Sequence, residues 1–100
     1  MCYHIAVSSY VVYVDDNFHY MDESERYKDG EFDTKEQAIA RCQEIVDEFF
    51  EPHTNDRLSF DELWNGYTMF GDDPFIVTKD KTCVFSAWDY AKQKCRELAA

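Results

Sequence analysis

The sequence has few of the residues that interrupt structure, and few that bind nucleic acid. Three glycines and two prolines in 100 residues provide no flexible linker at which a second domain could begin. Only 10 residues are Lys or Arg against 21 Asp or Glu, a net charge of −11. A protein that binds nucleic acid directly, or that binds an anionic membrane surface, needs clustered Lys and Arg side chains. This composition therefore argues against both kinds of binding. With 45% hydrophobic residues, the chain can form a core, and we expect residues 1–100 to be one domain.

Long hydrophobic runs are also missing. The apolar run at residues 5–14 has no Lys or Arg before it, and Asp15 and Asp16 follow at once. It is shorter than the ~20 residues of a membrane-spanning helix, and no small-residue cleavage site follows it. We therefore expect a cytoplasmic protein with no membrane association, in which residues 1–10 extend the first strand at its N-terminus.

The four cysteines do not form a recognisable metal or redox motif. No two of them have the C-x-x-C spacing, and the three histidines are scattered. Without an export signal, a disulfide framework is not expected. Cys42 and Cys95 fall on apolar stripes of predicted helices. The sequence thus predicts free thiols, no metal and no cofactor.

Familiar catalytic motifs are missing too. The sequence has no glycine-rich phosphate loop, no G-x-S-x-G elbow and no H-E-x-x-H. The absence of these motifs argues against an enzyme, but it does not exclude one with an unfamiliar active site.

Local patterns predict an α+β fold in the order β-β-α-α-β-α. In residues 5–14, both the odd-numbered and the even-numbered positions are largely apolar, which predicts a central strand covered on both faces. Residues 26–32 are predicted to form a more exposed strand with a bulge or turn at Gly30. Thr34 with Gln37 is a capping box, and it opens a helix with apolar residues three and four apart.

The second half repeats these signals. Ser59 with Glu62 opens a helix that could end at Gly71, residues 75–78 read as a short strand, and Ser86 can cap a last helix. We expect a small, mainly antiparallel sheet with the helices packed on one face.

Four stretches resemble short, acidic bacterial hypothetical proteins of an uncharacterised group. They are YVDDNFHYMD at residues 13–22, GEFDT at 30–34, FGDDPF at 70–75 and FSAWDYA at 85–91. The resemblance spans residues 11–97 and implies no known activity and no catalytic residue.

The first candidate site is the acidic, aromatic segment at residues 15–25, which we expect to be a long turn. Its candidate binding residues are Asp15, Asp16, Phe18, His19 and Tyr20. The spacing fails the calcium-loop pattern, because Phe18 and His19 stand where oxygen ligands and a glycine are needed. A carboxylate could orient His19 for acid–base catalysis. Alternatively, Phe18 and Tyr20 pack on the core and His19 is a turn residue.

The second candidate lies within residues 64–75 and consists of Trp64, Tyr67, Phe70, Asp72 and Asp73. Aromatic residues beside carboxylates suit a contact surface with a charged rim. The alternative is that Trp64 and Phe70 are core residues and that residues 71–74 only end the helix.

Charge is uneven along the chain. It is −6 over residues 15–36, −7 over 37–73 and +2 over 74–100. This pattern suits either a solubilising surface or attraction of a basic partner. We expect a small acidic binding or regulatory protein without catalysis that recognises a basic protein surface and is a monomer or weak dimer. The alternatives are a small-molecule or metal binder, a nucleic-acid mimic, or an enzyme using His19 with neighbouring carboxylates.

Overall fold

The computed structural model describes residues 10–17, 26–78 and 85–99. They form a three-stranded antiparallel sheet and three α-helices in the predicted order, so the α+β fold is confirmed. The elements are β1 (Tyr10–Asp16), β2 (Tyr27–Phe32), α1 (Lys35–Phe50), a short 3-10 helix (Glu51–His53), α2 (Phe60–Phe70), β3 (Asp72–Thr78) and α3 (Ala87–Leu98). In these ranges no helix is long and apolar enough to span a bilayer.

The sheet has the order β2-β1-β3, with β1 antiparallel to both neighbours. The valine-rich first strand is therefore central, as the apolar residues at both its odd and its even positions predict. Val12 and Val14 are fully buried on the face that packs against α1. Tyr13 and Phe75 pair on the opposite, more open face. The sheet thus has one covered face and one partly exposed face.

A bulge in β2 gives an acidic side chain a partner on α1. Val12 pairs with Gly30 and Tyr13 with Lys28, so Asp29 between them has no residue opposite. The Asp29 carboxylate accepts two hydrogen bonds from Arg41 on α1, at 2.8 and 3.0 Å. The irregularity predicted at Gly30 is therefore confirmed, one residue away, and it links the edge strand to the helix layer.

All three helices begin at the predicted caps. The side-chain oxygen of Thr34 accepts from the backbone N–H of Gln37 at 3.1 Å, and that of Ser59 from Glu62 at 3.2 Å. Ser86 caps α3 in the same way. Each cap satisfies a backbone donor that the first turn leaves without a partner.

The core has two parts that share α1. Ala38, Cys42 and Ile45 pack under the sheet, whereas Val46 and Phe50 pack among α2 and α3. Cys95 is buried in the second part, and Cys42 is buried in the first. The prediction of thiols without a disulfide is confirmed for Cys95; Cys2 and Cys83 lie outside the described residues.

Two predicted boundaries were wrong. Asp15 and Asp16 belong to β1 rather than to a turn, and β3 begins at Asp72, three residues earlier than predicted. Pairing between the two strands continues through these residues and outweighs their low strand propensity. Pro74 is compatible with β3 because β3 is an edge strand of the described sheet.

Candidate functional site

The paired ends of β1 and β3 bring four carboxylates together. Asp15 lies opposite Asp73, and Asp16 lies opposite Asp72. We call these four residues the aspartate quartet. Directly opposed residues in antiparallel strands have Cβ atoms about 4.5–5.5 Å apart, and like charges at that distance destabilise the pair. The strand register therefore places carboxylates that repel one another at this end of the sheet.

The quartet divides between the two faces of the sheet. Because successive side chains in a strand alternate, Asp15 and Asp73 lie on the side of Tyr13 and Phe75, and Asp16 and Asp72 lie on the helix-covered side. Asp73 is on an edge strand, and it also borders the start of α3. This division explains why four neighbouring carboxylates do not converge on one point. In the described part of the chain, no group of His, Cys, Asp or Glu residues could hold a metal ion.

Asp15 has a cationic partner. The Arg26 guanidinium donates to both of its carboxylate oxygens, at 2.7 and 3.1 Å. The same guanidinium lies 4.9 Å from the centre of the Phe75 ring, which stacks on Tyr13. The open face therefore carries an arginine held between a carboxylate and an aromatic ring.

Asp73 differs from Asp15. Its carboxylate has no hydrogen bond or ion pair with any described residue, although it is half-buried. Burial, with a contribution from the charge of Asp15, raises the pKa of Asp73 to about 6. Both effects penalise the charged form, so a nearby cation would be strongly favoured here.

The carboxyl group of Asp72 also has a raised pKa, but the shift is smaller than that of Asp73. Burial raises its pKa, and the charges of Asp16 and of Glu48 on α1 raise it further. Two carboxylates thus act on Asp72 on the helix-covered side. A positive group docking there would relieve their repulsion.

Exposed apolar side chains adjoin this side of the quartet. Phe70 is 59% exposed and Met69 55% exposed in the last turn of α2, just before Gly71 and Asp72. Tyr27, 52% exposed, pairs with Val14 and so shares a face with Asp72. Burial raises the pKa of Tyr27, and the charge of Asp72 raises it further. Such side chains beside carboxylates are typical of interface anchors with a charged rim.

Tyr67, predicted to contact a partner, instead supports the site from within. Its side chain is fully buried, and its hydroxyl donates to the backbone oxygen of Asp72 at 2.6 Å. The Tyr67 ring also stacks on Phe50 in the helix core. Tyr67 therefore belongs to the core, and it fixes the first residue of β3.

Asn17, which sequence reasoning missed, completes this support. Its side-chain amide donates to the backbone oxygen of Tyr67 at 3.0 Å, and its side-chain oxygen lies 3.3 Å from the indole nitrogen of Trp88. Its backbone N–H donates to the carbonyl oxygen of Gly71 at 3.0 Å. One buried amide thus ties the end of β1 to α2 and α3. A single Asn after two aspartates gives no signal of this in the sequence.

The remaining predicted residues are partly accounted for. Trp64 is half-buried: it contacts Trp88 edge to face at 5.6 Å, and the Lys92 ammonium lies 5.2 Å from its ring centre. Phe18, His19 and Tyr20 lie outside the described residues. A surface shared between them and residues 64–75 therefore stays a prediction, as does a role for His19 in catalysis.

The chain matches no model of a protein family, no curated protein and no solved structure.

Proposed function

We propose that this chain is a small acidic binding or regulatory protein, without catalysis, that recognises a basic protein surface through the aspartate quartet. The observation that carries the proposal is the strand register, which sets Asp15 opposite Asp73 and Asp16 opposite Asp72. Local arrangements that cost stability occur mostly where function requires them. A Lys or Arg side chain brought by a partner would convert the repulsion into attraction.

The exposed apolar side chains give the partner something to bury. Tyr27 is close enough for the charge of Asp72 to act on it, and Met69 and Phe70 precede Asp72 by three and two residues, so a basic surface with apolar residues would complement both features. Burial of aromatic anchors supplies most of the affinity of protein interfaces, whereas rim charges accelerate association. The quartet is also a local patch, which suits one docking site better than imitation of a long phosphate backbone.

Affinity capture with matched charge variants tests the proposal. The test variant is Asp72→Asn with Asp73→Asn. The control is Asp33→Asn with Glu36→Gln, which removes two exposed carboxylates and so gives the same net charge. Captured proteins would be identified by mass spectrometry, and their binding measured at low and high salt.

We expect basic proteins to bind the wild type and the control at low salt, and to be lost or strongly reduced with the test variant. Equal capture by the test variant and the control would refute the proposal, since net charge alone would then explain binding.

A further inference from the structure

A pocket beside Asp73 gives this proposed function a specific docking point. The described residues that line it are Asp73, Phe85, Ser86, Ala87 and Trp88, and they form a depression of about 390 Å³ that is open to solvent. Small-ligand sites commonly fall in this size range. The pocket lies between the first half of β3 and the start of α3, so two separate elements form its walls.

The chemistry of the lining favours a cation. Asp73 has no hydrogen bond or ion pair with any described residue, whereas Asp15, opposite it, is bound by Arg26. The pocket therefore contains a carboxylate that has no counter-ion among the described residues. An anionic ligand is disfavoured because Asp73 and Asp15 would repel it.

The apolar part of the lining favours a cation on an alkyl stem. Phe85 and Trp88 contribute aromatic surface to the pocket. The Trp88 indole N–H donates to Asn17, so a ligand in the pocket would contact the Trp88 ring rather than its N–H group. Aromatic faces attract ammonium groups and also pack against methylene chains.

The N-terminus of α3, which borders the pocket, is compatible with a cationic ligand. A helix N-terminus carries a partial positive charge, which would repel a cation. Here the Ser86 hydroxyl already accepts from the Asp89 backbone N–H, and the Asp89 carboxylate lies in the first turn. That negative charge offsets the end of the helix dipole.

We propose that the pocket between β3 and α3 binds the side chain of a lysine from the basic partner, with the ammonium on the Asp73 carboxylate and the stem against Phe85 and Trp88. The inference rests on the proposed function and assigns one contact within it. Lysine fits better than arginine because it combines a compact point charge with a flexible four-carbon stem, and one carboxylate can satisfy it.

The test is a nuclear magnetic resonance titration with N-acetyl-lysine methylamide, a lysine with both ends blocked. The Ala87 amide and the Trp88 indole report on the pocket. The form acetylated at Nζ, which has no charge, and blocked arginine serve as comparison ligands. The protein variants are Asp73→Asn, Phe85→Leu and, as the control, Asp33→Asn.

We expect saturable binding of the blocked lysine to the wild type and to Asp33→Asn, at least tenfold weaker binding to Asp73→Asn, and no binding of the acetylated form. Phe85→Leu should weaken binding by a smaller factor. Lowering the pH from 7.5 to 5 should weaken binding about tenfold, because the Asp73 carboxylate becomes protonated.

Equal binding of lysine to the wild type and to Asp73→Asn, or tighter binding of arginine than of lysine, would overturn the inference. If lysine fails to bind but capture still depends on the quartet, the pocket assignment is wrong and the proposed function stands. If lysine binds but capture does not depend on the quartet, the proposed function fails and the pocket remains a lysine site.

Discussion

Replacing Asp73 by Asn should stabilise the protein at neutral pH. The pKa of Asp73 is raised from 3.8 to about 6, chiefly by burial and secondarily by Asp15. For a fully buried group, this difference between the folded and unfolded chain would correspond to about 3 kcal/mol of free energy of unfolding. Because the Asp73 carboxylate is only half-buried, solvent screening reduces the effect, and we expect about 1–2 kcal/mol.

The sign of the pH dependence follows from proton binding. Between pH 3.8 and about 6, the folded chain keeps the proton of Asp73 while the unfolded chain has lost it. The contribution of this residue to the free energy of unfolding therefore falls as the pH rises through that window. Its penalty is complete above about pH 6 and absent below about pH 3.8, and Asn at the same position carries no such penalty.

The assay is urea denaturation of the wild type, Asp73→Asn and the exposed control Asp33→Asn between pH 3.5 and 8. We expect Asp73→Asn to exceed the wild type by about 1–2 kcal/mol at pH 7.5, and the difference to vanish below pH 4. Each 1 kcal/mol corresponds to about 4–8 °C in Tm for a domain of this size. Parallel pH profiles, or a less stable Asp73→Asn variant at neutral pH, would refute the reasoning, because the Asp73 carboxylate would then have a favourable partner.

Three further substitutions test the scaffold of the site. Gly71→Ala should destabilise by about 1–3 kcal/mol, because the added Cβ would lie 2.4 Å from the Tyr67 ring; an unchanged Tm would contradict this. Arg41→Met should cost about 1–3 kcal/mol, because it leaves the partly buried Asp29 carboxylate without its two hydrogen bonds, and Asp29→Asn in the same background should recover part of the loss in urea denaturation. Asn17→Ala should cost about 1–3 kcal/mol by removing two side-chain hydrogen bonds, one to the backbone oxygen of Tyr67 and one from the Trp88 indole; a loss below 0.5 kcal/mol in thermal denaturation would refute its structural role.

The features that the sequence predicts well are determined by neighbouring residues. The caps at Thr34, Ser59 and Ser86 each need only a hydroxyl and a backbone N–H three residues away. A helix start of this kind is therefore visible in a four-residue window. The order of elements follows because each helix start is marked and strands occupy the apolar stretches between them.

The aspartate pairs could not be predicted, because they depend on register between strands that lie more than fifty residues apart. Sequence patterning placed Asp15 and Asp16 in a turn, and Asp72 and Asp73 after a helix. In the structure both pairs extend strands. A shift of one residue would have exchanged their faces, and only the packing of Val12 and Val14 on α1 fixes the alignment.

Tyr67 and Phe70 show a second limit of periodicity. Both are aromatic residues of α2 and stand three positions apart, so both suit the same helix face. Tyr67 is fully buried, whereas Phe70 is 59% exposed. The difference arises where α2 ends and the chain turns at Gly71 into β3, with the Tyr67 hydroxyl held by the Asp72 carbonyl. Helical spacing gives the direction of a side chain but not the point at which the core ends.

The placement of charge distinguishes a docking site from a surface that serves only solubility. Solubility requires exposed carboxylates, and Asp33 and Glu36 provide such charges where water screens them. It does not require carboxylates opposed across a strand pair, nor a half-buried carboxylate such as that of Asp73, which has no partner in the described part of the chain. If Asp73→Asn gains stability and loses the captured partner, the cost of its charge is linked to binding. If it gains stability and still captures the partner, Asp73 is not the docking point.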